Sequence, residues 1–237
     1  STDQGPTMLA SCSRRALVYC RPLIGASTFC SKSQFKIPFP KSNTIGLGQI
    51  LPQEEYKKIR PQVLTLQSSL RKRRRVLIGP YASIAFENFD LMWSQIHEML
   101  FIEGGGEEQA KDEIEAYAPL IPSGTNLVFT LMFEIDDKKR RDTILFQLGH
   151  VEDMIELRFN DHVIRATSTS EDDIDRTTAD GKTSSIHFLG FRLSPQQVKE
   201  FKTLSTPAEV KILHEKYPHS VTISTELLEE LQSDLHQ

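Results

Sequence analysis

Asn88, Gln95 and Glu98 stand at i, i+7 and i+10 within ENFDLMWSQIHEMLFIE, residues 87–103. On a helix that spacing puts all three on one side, beside Leu91. A carboxylate held near amides and away from water has a raised pKa and can act as general acid, general base or metal ligand. Glu134 and His187, each ending or interrupting an apolar stretch further along, are the partners such a site would draw from other elements. The plainer alternative is that these five groups cap and cross-link their surroundings as satisfied buried polar residues. His97 and Glu98 are neighbours, so they point about 100° apart and cannot chelate as an i, i+4 pair would. No Glu-x-x-His repeat of the di-iron bundle type occurs. His214 and His219 flank a loop and form a weaker metal candidate.

A second cluster is purely cationic. Arg71, Lys72, Arg73, Arg74 and Arg75 follow one another without interruption, a candidate patch for anionic lipid or an acidic partner. The competing account is a solvated helix end whose positive charges suit the C-terminal dipole. Other motifs fail on context. The carboxylates of EDDID (171–175) lack glycine at the sixth position of a calcium loop starting at Asp173. The glycines of 46–48 and 104–106 lack the lysine and the strand-to-helix setting of a phosphate loop.

These residues need elements to hold them. Residues 31–49 carry prolines and glycines without periodicity and predict a linker or extended arm. Residues 53–75 predict helix, divided by Pro61. RVLI then predicts a short strand ending at Gly79–Pro80, and residues 87–103 a helix with a broad apolar stripe closed by three glycines. An acidic helix to about Tyr117 follows. NLVFTLMFEI is apolar on both faces, as an inner strand is. Later come a helix closing at Gly149, a hairpin turning at Asn160–Asp161, a strand SSIHFLGFRL and a helix capped by Ser194–Pro195. A last strand pair and a C-terminal helix complete an α+β domain over 50–237, a mostly antiparallel sheet packed with helices.

Charge divides the chain unevenly. The formal net charge is −4, which argues against a nucleic-acid binder. Yet from Thr7 to Gln53 there is no acid, while Arg14, Arg15, Arg21, Lys32, Lys36 and Lys41 are present. An Arg-containing, Ser-rich, acid-free stretch has the character of a mitochondrial transit peptide, so residues 1–30 are expected to be a leader. All three cysteines fall at or before Cys30. A chain processed behind it would have no disulfide, thiolate nucleophile or iron–sulfur ligation of its own. No apolar run approaches the roughly 18 residues of a membrane span.

Three blocks carry a resemblance: RRRVLIGPYASIAFENFDLMWSQIHEML, YAPLIPSGTNLVFTLMFEI and KTSSIHFLGF. Together they resemble the bacterial domain-of-unknown-function family number three thousand five hundred and one, in the same order from about Ile50 to the C-terminus. The family-like polar positions are Glu87, Asn88, Asp90, Gln95, Glu98, Glu103, Tyr117 and Glu134. Phe89 and Phe101 stand where that family commonly has arginine, and Ala118 where it has asparagine. The family has no established activity. Its genes often neighbour those of rubrerythrin-like proteins and iron–sulfur oxidoreductases, so the resemblance implies an iron or redox context.

Two functions follow as expectations. The first is a non-catalytic accessory subunit or assembly factor of a mitochondrial, respiratory-chain type complex. It would work by protein contact in the matrix or at the matrix face of the inner membrane, without a cofactor. The alternative is an iron- or peroxide-related redox enzyme or ligand-binding protein partnering a rubrerythrin-like protein, with iron as cofactor.

Overall fold

The computed structural model describes residues 35–39, 42–170 and 176–236. The expected leader, residues 1–30, and the EDDID carboxylates lie outside them. The described chain is α+β, with six helices and eight strands. The strands are β1 (Arg75–Ile78), β2 (Ala82–Phe86), β3 (Asn126–Phe133), β4 (Ile155–Phe159), β5 (His162–Ser168), β6 (Ile186–Arg192), β7 (Glu209–Ile212) and β8 (His219–Thr222). They form one antiparallel sheet in the order β1-β2-β3-β6-β5-β4-β7-β8.

The sheet curls until its two edges nearly meet. Tyr217, just before β8, donates its hydroxyl hydrogen to the Ile78 carbonyl at 2.7 Å. The same oxygen accepts from the Ala82 and Tyr81 amides at 3.1 and 3.2 Å. One phenol thus ties the β1–β2 turn to the opposite edge, relieving both edges of exposure. Inside lie Ile84, Phe86, Phe129, Leu131 and Phe191, with the Phe129 and Phe191 rings stacked at 4.7 Å.

Alternate residues of β2, β3 and β6 point outward instead. Ala85, Val128, Met132, Ile186 and Phe188 form the floor of a second core, which is why β3 is apolar on both faces. Covering that floor are α1 (Gln53–Arg73), α2 (Phe89–Glu103) and α3 (Glu107–Tyr117). Helix α2 starts where Asn88 Oδ1 accepts the Leu91 amide at 2.9 Å and stops at Gly104, whose φ is +67°. It is buried on nearly every side, Phe89 and Leu91–Met99 all lying inside. The stripe expected of a surface helix is therefore too narrow a description.

What covers the remaining side of α2 is the arm. Ile37 and Ile45 are buried, the Phe39 ring lies 6.2 Å from Trp93, and Trp93 Nε1 donates to the Gln49 carbonyl at 2.8 Å. Two shorter helices, α5 (Pro195–Lys202) and α6 (Thr225–Asp234), join the inner core through Val198, Phe201, Leu227 and Leu231. The remaining helix, α4 (Lys138–Gln147), follows β3. Ser194 caps α5 reciprocally with Gln197, as its sequence predicts.

One local expectation is corrected and one strand is added. Pro61 does not divide α1, which runs unbroken through it. Pro61 and Lys57, whose carbonyl loses its partner, are both exposed, so the unbonded carbonyl is on the solvent side of the helix. The strand RVLI does end at Gly79–Pro80 as expected, and what the sequence reading lacked is β2, which follows that turn and pairs back from Arg75↔Ala85 to Ile78↔Ala82.

Candidate functional site

Glu98 is held by α1. Arg60 Nε and Nη2 donate to its two carboxylate oxygens at 2.9 Å each, and the Tyr56 hydroxyl donates to Oε1 at 2.7 Å. The carboxylate is 1% exposed, with its charge matched by a fork of the right geometry. Burial, then the bond to Glu98, pushes the Tyr56 phenol far above its ordinary value. His97 is also fully engaged: Nδ1–H donates to the Trp93 carbonyl at 2.8 Å and Nε2 accepts the Leu51 amide at 3.0 Å. Burial lowers it to about 4. Both residues act as cross-links between α2, α1 and the arm.

Gln95, one turn earlier, faces a different space. Its Oε1 accepts from Arg71 Nη2 at 2.9 Å, and its buried Nε2 has no partner. Here α2 leaves a cavity of about 50 Å³ against the outer face of β2, β3 and β6. Arg71, Glu87, Gln95, Tyr117 and Thr130 supply its polar wall, and Met92, Leu120, Met132, Ile186 and Phe188 the apolar one. Glu87 Oε1 accepts from Thr130 Oγ1 at 2.8 Å. Burial pushes the Glu87 carboxyl above its ordinary value, against the opposing pull of Arg71, Thr130 and Arg74.

The five sequence-derived candidates are thus not one site. Asn88 caps α2, Gln95 lines the cavity and Glu98 sits in the α1 clamp. Glu134 follows β3 near the sheet edge, bonded by Arg75 and Ser83. His187 lies on the other face of the sheet, since its neighbours Ile186 and Phe188 point toward the helices. Its Nε2–H donates to the Ser184 carbonyl at 2.9 Å and its Nδ1 lies 3.7 Å from Glu152. Burial lowers it to about 4. His214 accepts the Lys216 amide and His219 packs on Tyr217. Among the described residues, no three His, Cys, Asp or Glu side chains form a metal-holding group.

The cationic run is similarly dispersed. Arg71 turns to Gln95, Arg73 to Glu230 at 2.9 Å and Arg75 to Glu134, while Lys72 is exposed. Arg74 is buried, donating to the carbonyls of Phe86 and Glu87 at 3.0 and 3.2 Å and pairing with Asp234. Residue spacing on α2 missed the cavity because Glu87 precedes the helix and Thr130 comes from β3. One signal existed. Glu87, Gln95 and Tyr117 all belong to the family-like positions, and the structure gathers those three at one place.

A larger concavity opens beyond His97, where the arm, α1, α2 and the start of α3 enclose about 530 Å³. Leu47, Ile50, Leu51, Leu100, Phe101 and Ala110 make it predominantly apolar. Glu107 lines it, and Glu54, Glu55, Glu103 and Glu108 are exposed on the elements that form its walls. Lys57, Lys58 and Lys111 offset part of that charge. No helix among the described residues is long and apolar enough to cross a membrane.

The model of the family described as protein of unknown function (DUF3501) matches residues 44–235, and the chain belongs to that family. A crystal structure of a novel protein of unknown function from Burkholderia pseudomallei K96243 is similar, with a TM-score of 0.72 and 32% identity. That match covers 81% of this chain and 100% of the other. Among curated proteins no match is found.

Proposed function

We propose that this protein works by contact, as a non-catalytic accessory subunit or assembly factor, and that the groove between the arm, α1, α2 and α3 receives a basic amphipathic segment of a partner protein. The observation that carries this reading is the groove itself, about 530 Å³ of mostly apolar wall with Glu107 in its lining and further exposed glutamates on the elements that form it. An amphipathic helix laid into such a groove buries its apolar face and sets its cations against Glu54, Glu55, Glu103, Glu107 and Glu108. The two titratable groups on the groove floor, Tyr56 and His97, are already spent on bonds to Glu98, Trp93 and Leu51. Their role there is shape. The acid-free, arginine-bearing stretch before Gln53 supports a mitochondrial setting, and the redox neighbourhood implied by the family resemblance supports a complex of the respiratory-chain type.

The test places a photo-crosslinking residue at Leu47, which lines the groove and is 39% exposed, in the full chain within its own cells. Native gels of mitochondria are expected to hold the protein in a large complex, with the crosslink mapping to a basic amphipathic segment. Leu47→Asp is expected to release it. Free monomer only, or a crosslink to an acidic or purely polar segment, would overturn the reading.

A further inference from the structure

The cavity under α2 is built differently from the groove, and it holds the one buried amide nitrogen in its polar wall without a partner. Gln95 is 4% exposed, its oxygen is occupied by Arg71, and its Nε2 hydrogens meet no protein acceptor. An unmet buried donor is costly, and an acceptor supplied by a ligand removes that cost. Arg71 brings a positive charge to the same wall. Glu87 is 8% exposed, and its Oε1 accepts the Thr130 hydroxyl. Three groups able to donate therefore converge, opposite a wall of methionine and aromatic carbon. A volume of about 50 Å³ holds roughly four waters, hence about four to six bonded heavy atoms.

We propose that this cavity binds a short-chain monocarboxylate, its carboxylate received by Arg71, Gln95 Nε2 and the Glu87 carboxyl, and its alkyl end packed against Met92, Met132 and Phe188. A neutral Glu87 is what the arrangement requires. The acid form donates a hydrogen bond to the anion, whereas the ionised form repels it. Burial favours the acid form. The charged and titratable groups around Glu87 are Arg71 from α1, Arg74 just after it and Tyr117 from α3. The apolar wall selects against phosphate and other strongly hydrated anions, whose desolvation nothing there repays.

The test is methyl NMR of the full chain titrated with acetate, propionate and butyrate. The ε-methyl signals of Met92 and Met132 are expected to shift saturably, while the exposed Met154 stays fixed. Binding should weaken as pH rises, and Glu87→Gln should keep the affinity while removing that dependence. Gln95→Leu should weaken binding about tenfold or more, the loss of one bond to a charged group. No saturable shift with any of the three acids overturns the proposal. So does equal binding of inorganic phosphate, or unchanged affinity in Gln95→Leu. Should a variant fail to fold, the wild-type titration and its pH series decide alone.

Discussion

Arg60 and Glu98 face each other as a fork on a fork, two bonds of 2.9 Å, with Tyr56 closing the third side at 2.7 Å. The pair fastens α1 to α2 at the back of the groove. Glu98 is 1% exposed but Arg60 is 32% exposed, so solvent screens part of the attraction. Deleting Arg60 is the harsher change, because it strands a buried carboxylate with only the Tyr56 hydroxyl, whereas the guanidinium left by loss of Glu98 reaches water. Arg60→Ala is expected to destabilise by about 3 kcal/mol and Glu98→Ala by less. Urea unfolding measures both, and equal effects of the two variants would contradict the burial difference.

His97 and His187 predict how stability depends on acid. Both lie near 4 in the folded chain against 6.5 for an ordinary histidine, burial being the main cause in each. The unfolded chain therefore takes up protons that the folded one refuses. The stability they contribute is complete above about pH 6.5 and is lost as pH falls toward about 4, by at most about 2.7 kcal/mol per pH unit for the two together. Glu87, with its value raised, works the other way and does not account for that loss. Protonating His97 also destroys its acceptor for the Leu51 amide, so the arm is expected to loosen first. Histidine ring shifts followed by NMR should show both rings neutral until well below 6.5; titration of either near the ordinary value would refute this.

How much of this was legible depended on whether a residue's role was local. Asn88 and Gly104 declare the ends of α2 by their own chemistry, and the apolar doubling of NLVFTLMF declares an inner strand. Asn160, with φ of 46°, announces its hairpin. Near-closure of the sheet was not legible, because Tyr217 meets Ile78 across 139 residues and nothing in either segment names the other. The site divides likewise. One-helix spacing found Gln95, but Glu87 and Thr130 join it only through the pairing of β2 with β3. The sequence also offers His187 as a partner for Glu98 from another element, and the sheet separates the two onto opposite faces, since alternation is decided by register and not by composition.

The run from Arg71 to Arg75 predicts a sharp contrast between neighbours. Arg74 is 1% exposed and serves two carbonyls and Asp234, so Arg74→Met leaves buried acceptors unmet on α6 and after β2. A loss of about 3 kcal/mol is expected. Lys72 is exposed, and Lys72→Glu should fall within about 0.5 kcal/mol of the parent. Thermal melts of the two variants check the contrast. Similar melting points would mean that Arg74 is not the anchor its contacts describe.

Gly79 and Tyr217 make the closing point of the sheet a place with no tolerance. Gly79 has φ of +71°, and a Cβ built there would lie 2.5 Å from both the Tyr217 hydroxyl and the His219 ring. Alanine therefore meets backbone strain and a collision at once, and the collision pushes the phenol off Ile78 and Ala82. Gly79→Ala is expected to cost about 3 kcal/mol, and Tyr217→Phe, which keeps the ring and removes the three bonds, about 2 kcal/mol. If both act by opening the same seam, their combination should cost clearly less than the separate losses added together. Hydrogen exchange should then show the β1 and β8 amides released while those of β3 and β6 stay protected. Additive losses, or exchange spread evenly over all eight strands, would mean the seam is not what holds the two edges together.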